Sequence, residues 1–238
     1  MNRNKFGSFG FATAAIATLL LLPQIARAGT PLICSPFDIG NAKSLPMVNS
    51  SSPKADYDLS RLVADTEALL APDTPVIVRM ETIRRATLYA QRDGKVAKDL
   101  LEALKARAAS DTVTGQADAL AWFDLGYMVE TYKQANMTWK KRPDGKYDPV
   151  YQPTAASGMD GYAYVLKAIN LRGDDPEMEF AAAVITVWPR QKSYDAHLRK
   201  ALAGANDGSL LARNLVTHSG QQASTIAELR SQVMSTPK

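Results

Sequence analysis

One cysteine and two histidines stand in the 238 residues, and these scarcities set the first limits. Cys34 has no second cysteine to pair with, so no internal disulfide can form. His197 and His218 belong to no His-Glu-x-x-His or similar array, so no metal site is expected. A Gly-x-Ser-x-Gly elbow is absent, no cofactor motif stands above background, and a Cys34–His pairing would put the nucleophile on an irregular arm. The reading is therefore no cofactor and no catalytic residue. Long apolar runs are scarce too: one, Phe11–Leu22, is shorter than the roughly 20 residues of a membrane-spanning helix.

That run fits a secretory signal instead. Arg3 and Lys5 precede it and the small-x-small tripeptide at 26–28 follows, which predicts cleavage after Ala28 and a periplasmic or secreted chain without an integral membrane segment. The chain carries 28 Lys+Arg against 24 Asp+Glu, a net +4, and losing Arg3, Lys5 and Arg27 leaves +1. A near-neutral chain lacks the cationic excess that nucleic acid demands, so no nucleic-acid partner is expected. Ile33 precedes Cys34 where a lipoprotein anchor needs a small residue, so lipidation is not expected. A lone cysteine is read as a buried thiol, with an intermolecular disulfide as the alternative.

Residues 29–56 have no helical period. Prolines recur at 31, 36, 46 and 53, and Asn49-Ser50-Ser51-Ser52 marks a flexible stretch, so the segment reads as an extended arm and linker. Its Leu32, Ile33, Phe37 and Ile39 are too apolar for a free tail, so the arm is expected to lie along the body and cover a groove. From Tyr57 to the end, over 57–238, apolar residues recur at helical spacing. Leu59, Leu62, Val63, Leu69 and Leu70 mark one helix; Ile77, Met80, Ile83 and Tyr89 a second, with Thr74 as its cap and Pro75 at its start. Val96, Leu100, Leu101 and Leu104 form a third stripe, and a long fourth helix covers roughly 115–136. Residues 137–157 interrupt the rhythm as an inserted loop; Asp175-Pro176 then opens a further helix, and short helices fall near 193–204, 209–218 and 223–235. No stretch alternates with period two, so an all-α domain of about nine helices with little or no sheet is predicted.

Two stretches, Lys167–Thr186 and Lys200–Ser219, begin Lys-Ala-aliphatic, pass a Gly/Asp turn and resume as an Ala-rich helix. Helical hairpins recurring at 33 residues, the interval from Lys167 to Lys200, mark a solenoid, in which each pair buries its apolar face on the next. Trp122, Leu125 and Gly126 fall at the Trp-x-x-Leu-Gly spacing of the tetratricopeptide repeat, and Tyr164 and Ala168 match its second helix, so residues 115–218 resemble that family. The aromatic expected four after the Leu is Val129, the turn proline is Gly173, and an insertion must split the hairpin between Gly126 and Ala168. The resemblance implies a concave groove lined by Asp124, Tyr127, Glu130 and Thr131, a polar face for a basic or polar peptide. At the equivalent positions of the next repeat, Phe180, Val184 and Val187 would be covered by another chain or by the protein's own arm.

The inserted loop sets aromatics among cations: Trp139, Lys140, Lys141, Arg142, Tyr147 and Tyr151. Stacking faces beside positive charge suit a sugar or an anionic polymer. The expectation for function is thus an exported scaffold that binds a protein or peptide without catalysis. The alternative is a protein that binds cell-wall glycan through this loop, or cleaves it with Asp/Glu chemistry.

Overall fold

The computed structural model describes residues 32–113, 118–187 and 192–235. The expected signal segment lies outside them. Among the described residues the protein is all-α apart from one β-hairpin: a 3-10 turn at Leu59–Arg61, then α1 (Leu62–Leu69), α2 (Val76–Ala90), α3 (Gly94–Val113), α4 (Ala119–Ala135), β1 (Met137–Lys141), β2 (Tyr147–Tyr151), α5 (Gly161–Arg172), α6 (Pro176–Thr186), α7 (Tyr194–Gly204), α8 (Leu210–His218) and α9 (Ile226–Met234). None of these helices is long and apolar enough to cross a membrane.

The local chemistry explains most boundaries. Asp118, Asp160, Asp175, Ser209 and Thr225 each accept a first-turn N–H through the side chain, and Pro176 sits where its missing donor costs nothing. Gly173 closes α5 in the left-handed region at φ 79°, which favours glycine. Thr74 does not cap α2 as its sequence suggests. Its hydroxyl donates to Leu69 O at 3.0 Å, and the Ile77 N–H goes instead to the Glu177 carboxylate of α6 at 3.1 Å.

The helices are tied into antiparallel pairs and a parallel row. In the α4–α5 pair, Gly126 meets Gly161 and Val165, where a Cβ would come within 2.6 Å of Gly161 O and 2.9 Å of Val165 N. Glycine is needed there for the close backbone approach of α4 and α5. In the α6–α7 pair, Gly204 lies against the Pro176 ring. Helices α2 and α4 run in the same direction, since Arg79 meets Asp124, Thr87 meets Thr131 and Gln91 meets Ala135 in rising order. The predicted loop at 137–157 is in part a strand pair: β1 and β2 are antiparallel, with Thr138 opposite Val150 and Lys140 opposite Asp148. Pro149 is tolerated because a two-stranded sheet has only edges.

The irregular N-terminal segment is part of the core. Leu32, Phe37, Ile39 and Leu45 are buried with the helical side chains, as the apolar content of the arm predicts.

Candidate functional site

The arm is held by a charged stripe on α2. Glu81, Arg84 and Arg85 share one face by their three- and four-residue spacing. Glu81 Oε2 accepts from Arg84 Nε (2.7 Å) and from the Phe37 N–H (3.0 Å), while Oε1 accepts from Arg84 Nη2 (2.9 Å) and Arg85 Nε (2.7 Å). The guanidiniums spend their other N–H groups on arm carbonyls. Arg84 reaches Ile33 O (3.0 Å) and Ser50 O (2.7 Å), and Arg85 reaches Leu45 O (2.7 Å). Arg84 and Glu81 are wholly buried, a state ionised groups tolerate only when paired and hydrogen-bonded. Further along, Tyr89 donates to Pro46 O at 2.5 Å and accepts the Lys54 N–H at 3.0 Å.

Helix α8 grips the same arm from the other side. The Asn214 carboxamide reads one residue at two points: Oδ1 accepts the Asp38 N–H and Nδ2 donates to Asp38 O, both at 2.8 Å. Arg213 Nε meets the Asp38 carboxylate at 2.6 Å on a half-exposed rim, which with the Gly40 N–H holds that carboxyl below its ordinary range. The Phe37 ring lies 4.5 Å from the His218 ring and 6.1 Å, edge-on, from Phe180 of α6. Phe180 is thus covered by the protein's own arm. Burial lowers the His218 pKa to about 4, against a hydrogen bond to Pro36 and the charge of Glu81, both of which favour its protonated form.

The residues expected to line an open groove are placed otherwise. Asp124, Tyr127 and Thr131 are buried under α2, not presented to solvent. Asp124 accepts from Arg79 at 2.6 Å and lies 3.4 Å from Arg107; burial still pushes its carboxyl up to about 6, with the two arginines pulling it down. Thr131 bonds Thr87 at 2.9 Å, and the Tyr127 hydroxyl is enclosed without a partner among the described residues. Only Glu130 is partly exposed, and it caps α5 by accepting the Tyr162 N–H at 3.2 Å and pairs with Lys133 at 2.8 Å. Polar spacing on α4 reads as a solvent face, whereas its partners are on α2 and α3.

The loop candidates are spread over the β-hairpin. Lys140, Lys141 and Arg142 are exposed, with Arg142 paired to Asp144 at 3.2 Å. In the backbone register Trp139 stands opposite Pro149, Lys141 opposite Tyr147, and Tyr151 opposite Met137. Cys34 is exposed, contrary to the expected buried thiol, because residues 32–34 form a turn that buries Leu32 and leaves Cys34 on its outer side. A cavity of about 350 Å³ lies where the irregular segment after β2 meets the body, lined by Gln91, Tyr132, Asn136 and Thr154 among others.

Nothing in the sequence singles out Glu81, Arg84, Arg85, Asn214 or Glu179. The last is buried on α6, where it meets His197 Nδ1 at 2.5 Å and Lys200 at 2.9 Å; His197 Nε2 in turn meets the Tyr162 hydroxyl at 2.7 Å. This chain of contacts joins α5, α6 and α7. Each buried carboxylate described here, Glu81, Asp124 and Glu179, meets a buried basic side chain: Arg84, Arg79 and His197 respectively. No family model, curated protein or solved structure matches the chain.

Proposed function

We propose that this protein is an exported, tetratricopeptide-like helical scaffold that binds a protein or peptide in the cell envelope, with no catalytic activity of its own. The observation that carries the reading is the two-point hold of Asn214 on the Asp38 main chain. Side chains that satisfy both amide groups of an extended residue recognise a peptide as a peptide, whatever its side chain. The arginine contacts to Ile33 O and Leu45 O extend the same mode along the arm. The repeat reading draws support from the parallel α2 and α4, the antiparallel α4–α5 and α6–α7 pairs, and the glycine contact at Gly126. Export rests on the N-terminal signal pattern in the sequence.

The test is affinity capture from the envelope fraction of the producing cell with the mature protein as bait. A discrete protein is expected, retained when residues 138–150 are replaced by a short Gly-Ser turn and lost with Asn214→Ala. Capture of cell-wall polymer alone, lost with the hairpin replacement, would overturn this reading in favour of a glycan-binding surface.

A further inference from the structure

We propose that residues 32–46 are an exchangeable occupant of the α2–α6–α8 groove, which takes in their place an extended partner segment with an aromatic–acidic–aliphatic core, Phe37-Asp38-Ile39 in this chain. The proposal rests on the peptide-binding reading above and names its ligand and its regulation. Three features of the arm distinguish it from an ordinary terminal segment.

The first is how it is held. Phe37 N–H, Asp38 N–H, Asp38 O and the carbonyls of Ile33 and Leu45 all end on helix side chains, so the main-chain contacts are available to any extended peptide. The second is side-chain selection at one place. The slot between Phe180 and His218 takes a flat ring, the Arg213 rim takes a carboxylate, and the next position is buried and apolar. This order sets the motif: ring in the slot, acid at the rim, aliphatic inward.

The third is the tether. No residue of 32–46 belongs to a helix or strand. The arm joins the body through a turn closed by Val48 N–H on Ser52 O at 2.9 Å, with Val48 68% exposed at its base. Beyond that turn Tyr89 and Arg92 pin Lys54 and Ala55 to α2. Residues 32–46 can therefore leave as one piece without breaking a helical hydrogen bond. While docked, they compete from an effective concentration on the order of millimolar, as short flexible tethers do. A free segment of equal intrinsic affinity is thus weakened by the ratio of that concentration to the arm's own dissociation constant. The arm sets a threshold that only a strong or multivalent partner crosses.

The experiment uses the full mature chain and a fluorescent peptide of residues 32–46. Asp38→Lys in the chain sets a cation against Arg213 on the half-exposed rim, so it weakens the docked arm while leaving the core side chains in place. The wild-type peptide is expected to bind this variant at least about tenfold more tightly than it binds the wild-type chain. Adding Asn214→Ala should remove that gain, and a peptide carrying Asp38→Lys should fail to bind. Amide exchange in the unaltered protein gives an independent readout: Phe37 and Asp38 N–H should exchange faster than the slowest helical amides. The proposal is overturned if the peptide does not bind a variant that melts like the wild type, or if those two amides exchange only on global unfolding. It is also overturned if light scattering finds the variant dimeric through arms exchanged between copies. A partner captured by a wild-type chain whose arm never opens would sink this inference and leave the scaffold reading intact. Peptide binding without any captured partner would do the reverse.

Discussion

Among the described residues two segments are neither helical nor short: the arm at 32–58 and the insertion at 136–160. Both are rich in proline and polar residues, yet they solve the backbone problem in opposite ways. Every extended chain must find partners for its N–H and C=O groups or leave them in water. The insertion satisfies its own, pairing β1 with β2 and closing the tip through Arg142 N–H to Lys146 O at 2.7 Å. The arm borrows its partners from α2 and α8, through Glu81, Arg84, Arg85 and Asn214. A self-satisfied segment can project from the body and be altered at little cost. A borrowed one is held by its lenders, and among those lenders are buried charges that are costly to remove.

The largest effect should come from the root of the insertion. At Gly126 an added side chain meets the Gly161 carbonyl and the Val165 backbone N, not flexible side-chain ends. Gly126→Leu must force α4 and α5 apart, beyond the 1–3 kcal/mol usual for overpacking, and is expected to abolish cooperative thermal unfolding by circular dichroism. A sharp melt near the wild-type temperature would mean that the helix pair does not depend on this contact.

Next is the lender of the arm. Glu81→Ala leaves Arg84 buried without its carboxylate and removes the acceptor of the Phe37 N–H. A loss of about 3–5 kcal/mol in denaturant unfolding is expected, with faster amide exchange along 32–46. Loss of stability with unchanged exchange in the arm would show that Glu81 serves the helices alone.

The helices were largely legible, and the reason is physical. Leu100, Leu101 and Leu104 recur at helical spacing because one face of α3 must be buried, and Asp175-Pro176 starts α6 by a purely local hydrogen bond. The docking of the arm was legible from Leu32, Phe37 and Ile39, which cannot stay in water cheaply. The candidate site was not. Glu81, Arg84 and Arg85 carry the pattern of a solvated helix face, and only carbonyls far along the chain make it an interior one. The tetratricopeptide-like register implies an open face for Asp124, Tyr127 and Thr131, whereas α2 covers them. The strands were readable in hindsight: Thr138-Trp139 and Tyr147 to Tyr151 flank a Pro-Asp-Gly turn, a hairpin signal obscured by Pro149.

A pH titration sharpens the same contrast. In the unfolded chain His218 titrates near 6.5, whereas burial beside the arm lowers it to about 4. Between these values the unfolded state holds the extra proton, so this group makes stability fall as pH drops from 6.5 towards 4 and leaves it flat above. The gap corresponds to roughly 3 kcal/mol. Asp124 acts in the opposite sense, because its raised pKa, about 6, makes the folded state the better proton binder between about 4 and 6. Comparing wild type with His218→Phe at each pH cancels Asp124, and the difference should grow steadily below pH 6.5. Parallel curves would show that the slot around Phe37 is open to water.

The smallest effect should come from the hairpin itself. Gln152 N–H to Asn136 O, at 3.0 Å, closes its base, so residues 138–150 can be replaced by a Gly-Ser turn with that contact kept. Shortening a surface loop changes its closure entropy only slowly with length, by about 0.6 kcal/mol per doubling. The exposed Lys140, Lys141 and Arg142 contribute little to folding, since surface ion pairs such as Arg142–Asp144 are worth at most about 1 kcal/mol. The replacement should therefore shift stability by less than about 1 kcal/mol, although it removes as many residues as the arm segment 32–44 whose lender Glu81 costs several times more. A shift as large as that of Glu81→Ala would mean that the insertion also leans on the body, through the cavity edge at Pro153 and Thr154. Backbone satisfaction would then not be what separates the two segments.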